Sequence, residues 1–75
     1  MPQPINKKQK DQLIKLGERI RSIRHDKGLS LQDVADKIEK DRQSLQRLEK
    51  GGFNPSYIYL LEVCKGLGVD IRDLF

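Results

Sequence analysis

Four side chains in the middle of the sequence have the types and the spacing to read a nucleic acid. In Asp41 to Gly51, DRQSLQRLEKG, the residues Arg42, Gln43, Gln46 and Arg47 fall on one side of a short helix. Leu45 and Leu48, three apart, share the opposite side, which can bury. An arginine can grip guanine with two hydrogen bonds, and a glutamine can do the same to adenine. The alternative is the solvated face of a surface helix, and the stretch alone does not separate the two. Other chemistries are poorly supplied. A single histidine, His25, and a single cysteine, Cys64, offer neither a catalytic triad nor a metal cluster, so no enzymatic activity, metal or cofactor is expected. Cys64 lies on an apolar stripe, where a thiol acts as a small buried hydrophobe. His25 falls near the end of a helix, where a cation suits the dipole, and receives no role.

Length and charge narrow the setting. The chain has 75 residues, enough for one small domain with a marginal core. That leaves no room for a separate ligand-sensing domain, and no small-molecule ligand is expected. One cysteine cannot form an internal disulfide, which fits a reducing compartment. Neither a membrane span nor a signal peptide is apparent, so a cytoplasmic location is expected. The net charge is +4, and it is unevenly spread. Residues 1–28 carry eight Lys/Arg against three Asp/Glu, residues 29–50 balance five against five, and residues 51–75 are slightly acidic. A basic N-terminal third suits a polyanion.

The elements that must hold the central stretch are all helical, and the class is all-α with five helices. Residues 1–6, with two prolines, should be extended or disordered, and residues 7–75 form the domain. Asn6, with Gln9 three residues on, can cap a first helix whose Leu13, Leu16, Ile20 and Ile23 share a face. That helix runs about twenty residues to Gly28, and its first turns, KKQKDQ, should project beyond the core. Ser30 caps a short second helix with Leu31, Val34, Ala35 and Ile38 inward. A turn of about three residues leads to the cap at Asp41, so residues 31–50 describe a helix-turn-helix. Asn54-Pro55 should open a fourth helix carrying Tyr57, Leu60, Leu61, Cys64 and Leu67 inward. Asp70 can cap a final turn that returns Ile71 and Leu74 to the core.

The pieces LGERIRSIR (16–24), GLSLQDVADKI (28–38), SLQRLEKG (44–51), NPS (54–56) and LLEVCKGLGVDIRDLF (60–75) together resemble the phage-repressor and Cro type of helix-turn-helix, the xenobiotic-response-element family. The resemblance implies a compact five-helix lambda-repressor-like domain whose third helix enters the major groove. It matches Arg42, Gln43 and Arg47 to base-reading positions, with Gln46 beside them. It matches Ser30, Lys50 and Tyr57 to phosphate-touching positions, which orient the domain without reading sequence. Glu49 would pair with Arg24 rather than face DNA. Ile58 and Tyr59, beside Asp70 to Arg72, fall where family members meet a two-fold partner, so a homodimer on a roughly palindromic operator is expected.

Some residues depart from the family pattern. Leu31 replaces a common phosphate-touching glutamine. Glu39 stands where the turn often has glycine, so a positive φ there would strain it. Lys40 replaces an apolar residue, and its charge is expected to snorkel towards DNA. Asp41 serves as a cap. The expected function is a sequence-specific transcriptional regulator, a repressor by the family's usual mode, controlled by concentration, a partner protein or proteolysis. An antitoxin-like module that holds a partner protein is the reading from another class, and a general nucleic-acid binder is a third.

Overall fold

Polar side chains start each helix of the chain. In a computed structural model describing residues 4–75, Pro4 to Asn6 are non-helical and exposed, and the expectation for residues 1–3 lies outside the described residues. Asn6 and Gln9 form a reciprocal capping box at the start of α1, Lys7–Asp26. Ser30 and Asp33 repeat the device for α2, Leu31–Ile38. The Asp41 carboxylate accepts the Ser44 N–H at 2.6 Å and opens α3, Arg42–Glu49. Then comes α4, Tyr57–Leu67, and a closing 3-10 turn, Ile71–Leu74, capped by Asp70. The expected fifth helix is therefore this single tight turn.

The start of α4 corrects one expectation. Ser56, not Asn54, is the cap, and its hydroxyl accepts the Tyr59 N–H at 3.0 Å. A residue before proline is pushed towards extended backbone, so Asn54-Pro55 also suits the approach to a cap two residues later. The inward face is corrected with it. Tyr57 is 64% exposed, while Val63 at 1% is buried in its place. Tyr57 lies in the first turn of α4, beyond the edge of the core, although its spacing matches Leu60 and Leu61.

The core is made by Ile20 and Ile23 of α1, Val34 and Ala35 of α2, Leu45 and Leu48 of α3, Leu60, Val63, Cys64 and Leu67 of α4, and Leu74. α2 packs chiefly on α4, and α1 on α3. The second contact depends on Gly17: a Cβ there would stand 2.6 Å from the Leu48 carbonyl oxygen. Gly51 ends α3 at φ +71, and a Cβ on it would stand 2.8 Å from the Ile14 backbone nitrogen. Two glycines therefore bring α1 against the end of α3 at backbone distance. The described residues span 33 × 21 × 18 Å, and among them no helix is long and apolar enough to cross a membrane.

Candidate nucleic-acid interface

Helix α3 has two unlike faces. Leu45 and Leu48 are 2% and 1% exposed and seat it on the core. Arg42, Gln43, Gln46 and Arg47 are all exposed on the far side. Their long side chains supply N–H donors and amide acceptors, the groups that pair with base edges and phosphates.

One buried charge pair ties the C-terminal end of α3 to α1. Arg24 Nε and Nη2 donate to the two carboxylate oxygens of Glu49 at 2.7 and 2.9 Å. Arg24 Nη1 donates to the Leu29 carbonyl at 2.8 Å, which adds the α1–α2 connection to the clamp. Arg24 is 8% exposed, and the hydrogen bonds it donates to Glu49 raise its pKa above the usual arginine value against the cost of burial. Glu49 thus faces the domain, away from the row formed by Arg42, Gln43, Gln46 and Arg47.

The turn before α3 holds Glu39 at φ 57 and ψ 34, the only non-glycine residue of positive φ among the described residues. Lys40 corrects a further expectation, that its charge points towards DNA. Its Nζ lies 3.0 Å from Glu62 Oε2, an ionic contact without hydrogen-bond alignment, and 5.4 Å from the centre of the Tyr59 ring. The charge runs to α4 because an acid and an aromatic face await it there, and Glu62 raises the Lys40 pKa.

The expected phosphate-contacting residues lie on three elements. Ser30 accepts the Asp33 N–H at 3.0 Å, which leaves its own O–H free to donate. Lys50 caps the end of α3 with its side chain exposed, and Tyr57 projects from the start of α4. The four residues grouped as a dimer surface are not alike. Ile58 is 62% exposed. Asp70 and Arg72 are exposed and pair with each other at 3.1 Å. Tyr59 is half-buried and engaged within the domain: its hydroxyl is 2.7 Å from Ser44 Oγ, and its ring meets Phe53 edge-on at 5.5 Å.

The first turns of α1 also differ from expectation. They are exposed, but Lys10 Nζ reaches back to donate to the Gly51 carbonyl, so the extension is fastened to the α3–α4 loop. Between them lies an open cleft lined by Ile5, Gln9, Gln12, Leu13, Gly52, Phe53 and Asn54. Sequence reasoning had assigned nothing to Gly17, Ser44 or Phe53. Gly17 carried the signal of a glycine inside a strongly helical pattern, which marks a close approach. Cys64 is buried, and burial raises its thiol pKa, so it stays protonated and packs as an apolar group. Among the described residues, no three His, Cys, Asp or Glu side chains gather to hold a metal.

Two short helices joined through Glu39 to Asp41, the second seated on the core and polar on its far side, define a helix-turn-helix domain. The chain belongs to the Helix-turn-helix family of transcriptional regulators, the xenobiotic-response-element type, whose pattern matches residues 20–74. Its members are DNA-binding proteins and not enzymes. The chain is 36% identical over 61 residues to the HTH-type transcriptional regulator DdrOP3 of Deinococcus deserti, a match covering 81% of this chain and 47% of that protein. It therefore spans about half that regulator's length. The restriction-modification controller protein C.AhdI of Aeromonas hydrophila has a similar structure, with a TM-score of 0.84 and 34% identity over 87% of this chain and 98% of that one. The controller protein C.Esp1396I, solved as a tetramer with its natural 35 base-pair operator, matches at a TM-score of 0.74 and 28% identity, over 83% of this chain and 92% of that one.

Proposed function

We propose that this chain is a transcriptional repressor that reads a short duplex operator by laying α3 in the major groove. The observation that carries this reading is the exposed row Arg42, Gln43, Gln46 and Arg47 on a helix whose other face is buried. A rigidly seated helix presents its outward side chains at fixed angles, which base reading requires. Arg42 and Arg47 pair with guanine and Gln43 with adenine, while Gln46 contributes from the flank. Ser30, Lys50 and Tyr57 hold phosphates and set the register. The free N–H groups at the starts of α2 and α4 add to them.

The chain acts as a homodimer through the surface around Ile58, with Asp70 and Arg72 at its rim. Two copies then meet half-sites about 34 Å apart, one helical turn of DNA, or a multiple of that. The oligomeric state of the operator-bound relative C.Esp1396I supports assembly on DNA. Occupying such a site blocks polymerase, in the cytoplasm, without a small-molecule ligand.

The test is selection of binding sites from random duplex DNA. The wild-type chain should recover a palindrome, and replacing Arg42 and Arg47 together with Ala should abolish that preference while leaving the fold intact. Recovery of no motif would overturn the reading. A double variant that still selected the same palindrome would remove these two arginines from base recognition.

A further inference from the structure

One member of the outward row on α3 is held at both ends. Arg42, Gln43 and Gln46 extend as exposed side chains, whereas the Arg47 guanidinium carbon lies 5.3 Å from the centre of the Phe53 ring. The Arg47 carbonyl accepts the Gly52 N–H at 2.8 Å. Gly52 sits so close that a Cβ on it would stand 3.1 Å from that carbonyl oxygen and 3.5 Å from Arg47 Cβ. Phe53 is fixed in turn by Tyr59, edge-on at 87°, and Tyr59 is bound to Ser44 at 2.7 Å. Ser44 is one helical turn before Arg47 on the same helix. The contacts therefore close a ring: α3, the following loop, α4, and back to α3.

We propose that Phe53 is a positioning residue for base recognition, holding the Arg47 guanidinium in one orientation before DNA arrives. The proposal rests on the reading of α3 as the base-reading helix. An unrestrained arginine samples many rotamers and loses that freedom on binding. An aromatic ring restrains the cation through its charge and its flat face, without using any of its five N–H donors. Those donors stay available for a guanine edge. Phe53 thus lowers the cost of ordering Arg47 and sharpens selectivity at the one base pair Arg47 meets. Because Phe53 leans on Tyr59, that selectivity depends on how the α3–α4 loop packs.

The test compares the wild-type chain with Phe53→Leu, Phe53→Tyr, Arg47→Ala and the double variant Arg47→Ala/Phe53→Leu. Each is titrated against the selected duplex and against duplexes with every base pair changed singly, with melting temperatures recorded. Phe53→Leu should lose about three- to tenfold in discrimination at one base pair, and Phe53→Tyr should keep it. In the Arg47→Ala background Phe53→Leu should cost nothing further at that base pair. A general loosening of the loop would instead cost the same in both backgrounds, and that result would overturn the proposal. So would wild-type discrimination in Phe53→Leu, or tighter binding, which would mean that the ring stows the arginine instead of presenting it. If Arg47→Ala itself keeps full discrimination, the base-reading role of Arg47 fails and the positioning role falls with it. Should Phe53→Leu melt below the assay temperature, Phe53→Met carries the same comparison.

Discussion

At position 39 a glutamate adopts backbone angles that favour glycine, φ 57 and ψ 34. For a side chain with a Cβ the left-handed region costs roughly 1–2 kcal/mol. Glycine would relieve that strain but adds roughly 0.4–1 kcal/mol of unfolded-chain entropy to be lost on folding. The first effect outweighs the second, so Glu39→Gly should be neutral to about 1 kcal/mol stabilising in urea denaturation. A clear fall in melting temperature would mean that the Glu39 side chain contributes something its exposure does not suggest. The strain was foreshadowed by the family resemblance, in which the position of Glu39 is often glycine; the length of the turn alone did not reveal it. The destination of the neighbouring Lys40 was not foreshadowed. Its charge is drawn by Glu62, twenty-two positions away, and spacing carries no information about such a pairing.

Among the elements, α4 offers the sharpest test of what starts a helix here. Ser56 makes the cap contact, and Asn54 lies two residues outside it. Ser56→Ala should cost about 1 kcal/mol, the typical worth of a lost cap. Asn54→Ala should stay within about 0.5 kcal/mol, as a surface change away from any cap does. The reverse order in thermal melts would return the cap to Asn54. The starts of α1, α2 and α3 were readable because Asn6, Ser30 and Asp41 each stand alone before an apolar stripe. Before α4 two caps compete, Asn54 and Ser56, and only the structure shows that Ser56 makes the contact. The inward stripe of α4 was readable at Leu60, Cys64 and Leu67, but Leu61, also expected inward, is only half-buried and outside the core. Tyr57 has the right spacing but overhangs the core, and Val63 lies on the flank of the stripe yet is buried in the core.

For the molecule as a whole, and on the proposed function, the uneven charge and the exposed face of α3 concern the same event, association with a polyanion. Exposed Lys50 lies at the end of α3, outside the row assigned to bases. Lys50→Ala should therefore weaken binding equally across sequences and lower the slope of log affinity against log salt by about one. Titrations of the selected duplex at several salt concentrations measure this, and a changed base preference would move Lys50 into the base-reading group. The outline of the domain followed from helix periodicity and caps alone. The roles within it came from the family resemblance, because an exposed arginine on DNA and one in solvent look alike until a fold surrounds them. The resemblance implied that α1 and α3 are tied through Arg24 and Glu49, but not that their backbones meet at Gly17 and Gly51, which the packed structure displays.

The Arg24 clamp also has a bearing on time. Its two bonds to Glu49 join residues 25 apart in the chain, and its third reaches the Leu29 carbonyl. The pair with Glu49 forms only once α1 and α3 have docked, and we predict that this docking follows the rate-limiting step of folding. An interaction absent from the transition state leaves the folding rate unchanged and sets the rate of escape from the native state. Glu49→Gln should steepen neither arm of the chevron, but should raise the unfolding limb by the whole of its stability loss while the folding limb stays in place. A slower folding limb would put the clamp in the nucleus. On this account the buried pair acts as a latch: it adds little to how fast the domain forms, and much to how long α3 stays seated.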